Sequence, residues 1–156
     1  MLSVGTIAPD FTATLDDGST FHLADYRGQK NVVLYFYPRD FTRGCTKEAC
    51  SLRDNYAAIE ERGAIIVGVS SDKVDAHLSF RDEYHLPFPL IADPERRIIA
   101  LYDARGIVKW LTARVTYVIN KDGIIRAAFH HEFMVDRHVT KIVAALDGIA
   151  GLLAPR

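Results

Sequence analysis

The chain has 156 residues, 49% of them hydrophobic and 25% charged, with a net charge of −1. That length fits one domain over 1–156 with a core that stands without disulfide staples, and the composition is that of an ordered globular protein. The near-zero charge leaves no electrostatic footprint for nucleic acid or a membrane surface, so neither partner is expected.

The opening MLSVGTIAPDFT has neither the basic nor the apolar segment of a secretory signal. Asp16-Asp17-Gly18 predicts a hairpin turn between FTATL and TFHL. NVVLYFYP, 31–38, is a nearly continuous apolar run ended by Pro38, as in a central strand covered on both faces. A helix pattern fills about 45–62. AIIVGVSS, 64–71, is a second apolar strand, so a right-handed βαβ crossover is expected. Ser71 or Asp72 is the expected cap of a helix carrying Val74, Leu78 and Phe80 or Arg81. LPFPLIAD is a short strand, and Pro87 and Pro89 place it near a sheet edge. Asp93-Pro94-Glu95 reads as a helix start, with aspartate as cap and proline at the first helical position. RVTYVIN and GIIRAAF flank Lys121-Asp122-Gly123, a second hairpin signal. The last segment carries a stripe of Val139, Ile142, Val143, Leu146, Ile149 or Ala150, and Leu153, capped by Asp136.

Strands alternating with helices, then a hairpin and a terminal helix, predict an α/β layer fold with a mixed central sheet. No repeat or Ser/Gly linker divides the chain. No apolar run nears the roughly 20 residues needed to span a bilayer. A cytoplasmic protein with reduced thiols is expected. No long exposed apolar patch is evident, which favours a monomer.

The only two cysteines, Cys45 and Cys50, lie in YFYPRDFTRGCTKEAC, where the strand pattern gives way to the helix pattern. Two are too few for a disulfide scaffold, and in a reducing compartment a close pair points to redox chemistry or metal. Cys45, Ala49, Leu52, Tyr56 and Ile59 share one helical face, and Thr46, Arg53, Asp54 and Glu61 lie on the other side. Cys50 sits about 140° round from Cys45, among polar neighbours. Positions i and i+5 of a regular helix have Cα atoms roughly 8–9 Å apart, and a disulfide wants about 4.4–6.8 Å. The pair can therefore bond only if the first turn unwinds.

Cys45 stands at the helix N-terminus, where unpaired N–H groups and the macrodipole favour a thiolate. Gly44 lets the backbone approach a small ligand. Thr42 offers a hydroxyl that donates and accepts, and Pro38 stiffens the approach. Such a pocket suits a small electrophile. The plainer alternatives are a buried apolar Cys45 and an incidental Cys50. Glu48 reads as first-turn dipole complementarity that could also tune Arg114 or Cys45. His130, His131 and His138 with the cysteines make a poor match to a zinc set, and no metal is expected. Tyr35, Phe36, Tyr37 and Phe41 read as core aromatics.

Pro38-x-x-x-Thr42-x-x-Cys45 and GCTKEAC resemble the active-site signature of peroxiredoxins, in the peroxiredoxin Q subfamily, also called bacterioferritin comigratory proteins. The resemblance covers nearly the whole chain, including GTIAPDFTATLDDGSTFHLADYRGQKNVVLYFYP, SSD, LIADPE and RVTYVINKDGII. It implies a thioredoxin-like fold and a peroxidase that reduces hydrogen peroxide and organic hydroperoxides without cofactor. In that resemblance Cys45 is the peroxidatic cysteine, and Thr42 holds its thiolate and orients the peroxide. Arg114 stabilises the developing charge, and Pro38 shields the intermediate. Cys50 is the resolving cysteine that forms an intramolecular disulfide with Cys45, and thioredoxin or a similar dithiol protein reduces it. Three features depart from the family: Arg43 in place of a usual proline, Val115 in place of a small polar residue, and a shortened 102–114 connection. A disulfide-switched sensor would use the same cysteines without turnover. A dithiol reductase is disfavoured, because such enzymes use Cys-x-x-Cys.

Overall fold

A computed structural model describes residues 1–108, 110–130 and 136–153. Its strands are β1 (Thr12–Leu15), β2 (Thr20–His22), β3 (Asn31–Phe36), β4 (Ala64–Ser70), β5 (Leu90–Ala92), β6 (Val115–Ile119) and β7 (Ile125–His130). They form one sheet in the order β2-β1-β5-β4-β3-β6-β7. β3 runs parallel to β4, and β4 parallel to β5; the other pairings are antiparallel. The helices are α1 (Arg43–Asp54), α2 (Tyr56–Glu61), α3 (Val74–Glu83), α4 (Arg97–Leu101) and α5 (Asp136–Leu153).

Every residue of β3 is buried, as its unbroken apolar run predicts. Its alternation splits the interior in two. Val32, Leu34 and Phe36 join Phe11, Phe21, Ile99 and Tyr102 on one face of the sheet. Val33, Tyr35 and Tyr37 join Cys45, Ala49, Leu52, Phe80, Ile142 and Leu146 on the other. The second core is where α1 and α5 press against the sheet. Both expected hairpins form, at Asp16–Gly18 and at Lys121–Gly123.

Several expectations are corrected. The strand after the two prolines is internal, because β5 lies between β1 and β4. Pro87 and Pro89 precede Leu90, so they cost the ladder no donor, and the Pro89 carbonyl accepts from Gly68 N–H at 3.2 Å. Asp16 pins this strand: its carboxylate accepts from Leu90 N–H and Arg81 Nη1. α3 starts at Val74 with Lys73 at the N-cap, so neither Ser71 nor Asp72 caps it. Its inward residues are His77 and Phe80, and Leu78 is exposed. α4 begins at Arg97 rather than at Pro94. Asp93 still caps it from across the intervening turn, accepting from Arg97 N–H at 2.9 Å and Ile99 N–H at 2.8 Å. The helix expected over 45–62 starts earlier and breaks at Asn55 into α1 and α2. In α5 the buried stripe runs through Ile142, Leu146 and Ile149, with Ala150 exposed. The side chains of the expected cap Asp136 and of Leu153 lie outside the described residues.

Ile107, Val108, Trp110 and Leu111 are exposed together near the tip of the loop between α4 and β6. This apolar cluster removes the ground on which a monomer was expected. Among the described residues no helix is long and apolar enough to cross a membrane.

Candidate active site

α1 presents Cys45 in its first turn, as the helical pattern predicts. The helix opens after Thr42, whose backbone is extended, and Thr46 N–H donates to Thr42 O at 2.8 Å. Cys45, Ala49 and Leu52 are buried along one face, and Cys45 is only 1% exposed. Cys50 is half-buried on the same intact helix, and both thiols are free. The separation argued from helical spacing therefore holds in the reduced state.

Arg114, just before β6, spans two residues of α1. Its Nη1 donates to Glu48 Oε1 at 3.0 Å, and its Nη2 lies 3.5 Å from Cys45 Sγ. Cys45 and Glu48 are three residues apart, so one helical turn sets them side by side and a single guanidinium reaches both. Burial works against the Arg114 charge, yet Glu48 and Cys45 beside it hold its pKa above the ordinary value. Burial pushes Glu48 from 4.5 up to about 7, although Arg114 pulls the other way. The result is a desolvated cation aimed at a buried sulfur.

Gly44 packs against Arg114. A Cβ there would stand 3.1 Å from Arg114 Nη2. The glycine makes room for the guanidinium. Thr42 is exposed, and its hydroxyl donates to Arg39 O at 3.0 Å. Its proton is thus held by the loop, and donation toward Cys45 or a bound oxygen requires the hydroxyl to rotate. Pro38 is half-buried directly after the buried Tyr37. Arg43 is the first residue of α1, the position where proline is favoured, which accounts for the family's usual residue there.

Sequence reasoning missed the brace under this loop. Tyr37 donates from its hydroxyl to Asp40 Oδ1 at 2.6 Å, and Asp40 Oδ2 lies 2.6 Å from His77 Nδ1. His77 Nε2 is 2.8 Å from Ile91 O, so the ring is held at both nitrogens. Asp72 accepts from Asp40 N–H at 2.8 Å and from the Ser70 hydroxyl at 2.7 Å. Phe41 adopts φ 63° between these anchors, with its ring edge-on to Phe80 at 5.2 Å. Asp40, Asp72 and His77 carry ligand-type atoms within 4.8 Å of one another, but those atoms serve this bonded brace. The signal available in the sequence was a histidine on the inward stripe of a helix facing an aspartate in a loop.

Glu48, expected in the first helical turn, lies in the second, because α1 begins at Arg43. It is fully buried, which no dipole argument requires. His138 is buried on α5 with Nδ1 3.4 Å from Glu48 Oε2 and Nε2 2.5 Å from Thr116 Oγ1. His130 ends β7 and is exposed, and His131 lies outside the described residues.

Known proteins share this architecture. Residues 4–128 match the family model described as the AhpC/TSA family. The peroxiredoxin bcp of Coxiella burnetii is 39% identical over 151 residues, covering 93% of this chain and 99% of that one. The crystal structure of peroxidoxin BcpB from Mycobacterium tuberculosis superposes with a TM-score of 0.88 at 32% identity, covering 96% of this chain and 99% of that one. A bacterioferritin comigratory protein of Xanthomonas campestris, studied for alkyl peroxide reduction, superposes with a TM-score of 0.84 at 26% identity, over 96% of this chain and 98% of that one. With its thioredoxin-type sheet and a buried cysteine heading α1, the chain belongs to the AhpC/TSA family, as a thiol-dependent peroxidase of the peroxiredoxin branch named bcp or Q.

Proposed function

We propose that the chain reduces hydrogen peroxide and organic hydroperoxides in a two-cysteine cycle. The Cys45 thiolate attacks the terminal peroxide oxygen, the O–O bond breaks, and the alkoxide or hydroxide leaves and takes up a proton. Cys45 becomes a sulfenic acid. Arg114 supports this step as a fixed, desolvated donor next to the sulfur, where charge is redistributed. Thr42 orients the peroxide after rotating away from Arg39, and Pro38 shields the sulfenic acid. α1 then unwinds, Cys50 attacks the Cys45 sulfur, water leaves, and an intramolecular disulfide forms. Thioredoxin or a similar dithiol protein takes over the disulfide and restores both thiols. Both cysteines lie on one helix, so one chain suffices for the cycle, in the reducing cytoplasm.

The observation that carries this reading is the Arg114 guanidinium 3.5 Å from the sulfur of Cys45, at the head of a helix that also holds Cys50. The Xanthomonas relative's alkyl peroxide reduction supports the substrate class. The deciding experiment mixes the protein with thioredoxin, its reductase, NADPH and peroxide. Sustained NADPH loss that vanishes in Cys45→Ser is expected. A single stoichiometric oxidation followed by silence would point to a sensor instead.

A further inference from the structure

Behind the Arg114–Cys45 contact lies a second buried layer. Glu48 uses Oε1 to hold Arg114 at 3.0 Å and turns Oε2 toward His138 Nδ1 at 3.4 Å. The far nitrogen of the same ring meets Thr116 Oγ1 at 2.5 Å. Glu48 and His138 are 0% and 1% exposed, so no solvent screens the contact. Arg114 and Thr116 are two residues apart on an extended segment, so both project to the same face of the sheet. The segment that enters β6 thus supplies the guanidinium, and β6 itself the hydroxyl that meets the imidazole. Tyr35 on β3 closes the group, with its ring centroid 6.5 Å from that of His138.

A carboxylate buried this deeply is favoured only where both oxygens meet positive or donating groups. Arg114 donates to one oxygen, and the imidazole Nδ1 stands 3.4 Å from the other, within range of a charge contact. With the second oxygen unsupported, the carboxyl favours its neutral form and holds Arg114 less firmly. The guanidinium then loses its aim at the sulfur.

We propose that His138 is a positioning residue of the peroxidatic site: from α5 it holds Glu48 Oε2, so that Oε1 fixes Arg114 with its other nitrogen toward Cys45. The C-terminal helix is then part of the reactive site, although it touches neither peroxide nor sulfur in this role. The inference rests on the proposed roles of Cys45 and Arg114 and adds a residue to them.

The test is the second-order rate of Cys45 oxidation by hydrogen peroxide, followed by quench and peptide mass spectrometry. His138→Leu should lower that rate by about tenfold to a hundredfold, the scale expected from a small misplacement of a catalytic group. His138→Asn, whose amide N–H can take the place of Nδ1–H, should recover most of the loss. The step from sulfenic acid to disulfide should stay within about twofold, because the role acts through Arg114 on the first step only. Combined with Glu48→Gln, the His138→Leu change should add little, since the two act in series. Should His138→Leu not fold, Thr116→Val asks the same question, with a smaller loss that also vanishes in the Glu48→Gln background. A wild-type rate in His138→Leu, no recovery in His138→Asn, or losses that multiply with Glu48→Gln would each overturn the proposal. A fast wild type with an equally fast variant would sink this inference alone. A wild type unreactive at Cys45 would sink the function reading, and this inference with it.

Discussion

Arg114 Nη2 stands 3.5 Å from the sulfur of Cys45, and Gly44 is the residue that leaves room for it. A methyl group at 44 would press on the guanidinium at 3.1 Å, tighter than side chains normally tolerate. The position is helical, so alanine itself suits the backbone.

Gly44→Ala should therefore separate reactivity from stability. The peroxide rate at Cys45 should fall about tenfold or more as the donor is displaced. Stability by urea unfolding should hold or rise by up to about 1 kcal/mol. A variant that loses stability while keeping its rate would show that the glycine serves the fold and not the site.

Glu48 should leave a mark on stability against pH. Burial sets its folded pKa at about 7, above the 4.5 of an ordinary glutamate. Below the lower value both states hold the proton, and the contribution is fully present. Between the two values the unfolded chain releases its proton first, so stability is lost as pH rises toward about 7 and then levels. Unfolding measured from about pH 5 to about pH 8 should show wild type losing ground to Glu48→Gln over that window. A difference that grows in favour of wild type with rising pH would contradict the burial argument.

Oxidation should melt part of α1. Cys45 and Cys50 share one intact helix when reduced, in positions roughly 8–9 Å apart at Cα. The oxidised protein should show less helix by far-UV circular dichroism and faster amide exchange over about 42–52. Identical spectra and identical protection in both states would mean that the bond forms without unwinding.

Much of this was legible in the sequence because it rests on local periodicity. The apolar run of β3, the two Gly-bearing hairpins and the inward row from Cys45 each follow from spacing alone. The edge placement of β5 failed because Pro87 and Pro89 stand before the strand rather than in it. The cap on α3 failed because Asp72 is drawn instead to the Asp40 backbone, 32 residues away. Glu48, His77 and His138 were hard to weigh for the same reason. Their partners Arg114, Asp40 and Thr116 lie on other elements, and long-range pairing leaves no periodic trace.

In the proposed cycle Cys45 takes the peroxide oxygen and Cys50 resolves it within the same chain. Peptide mass spectrometry on reduced protein treated with one equivalent of hydrogen peroxide tests it most directly. A Cys45–Cys50 link with a loss of about 2 Da is expected. Oxygen retained on Cys50 with Cys45 untouched, or both thiols still reduced after the peroxide is mixed in, would contradict it.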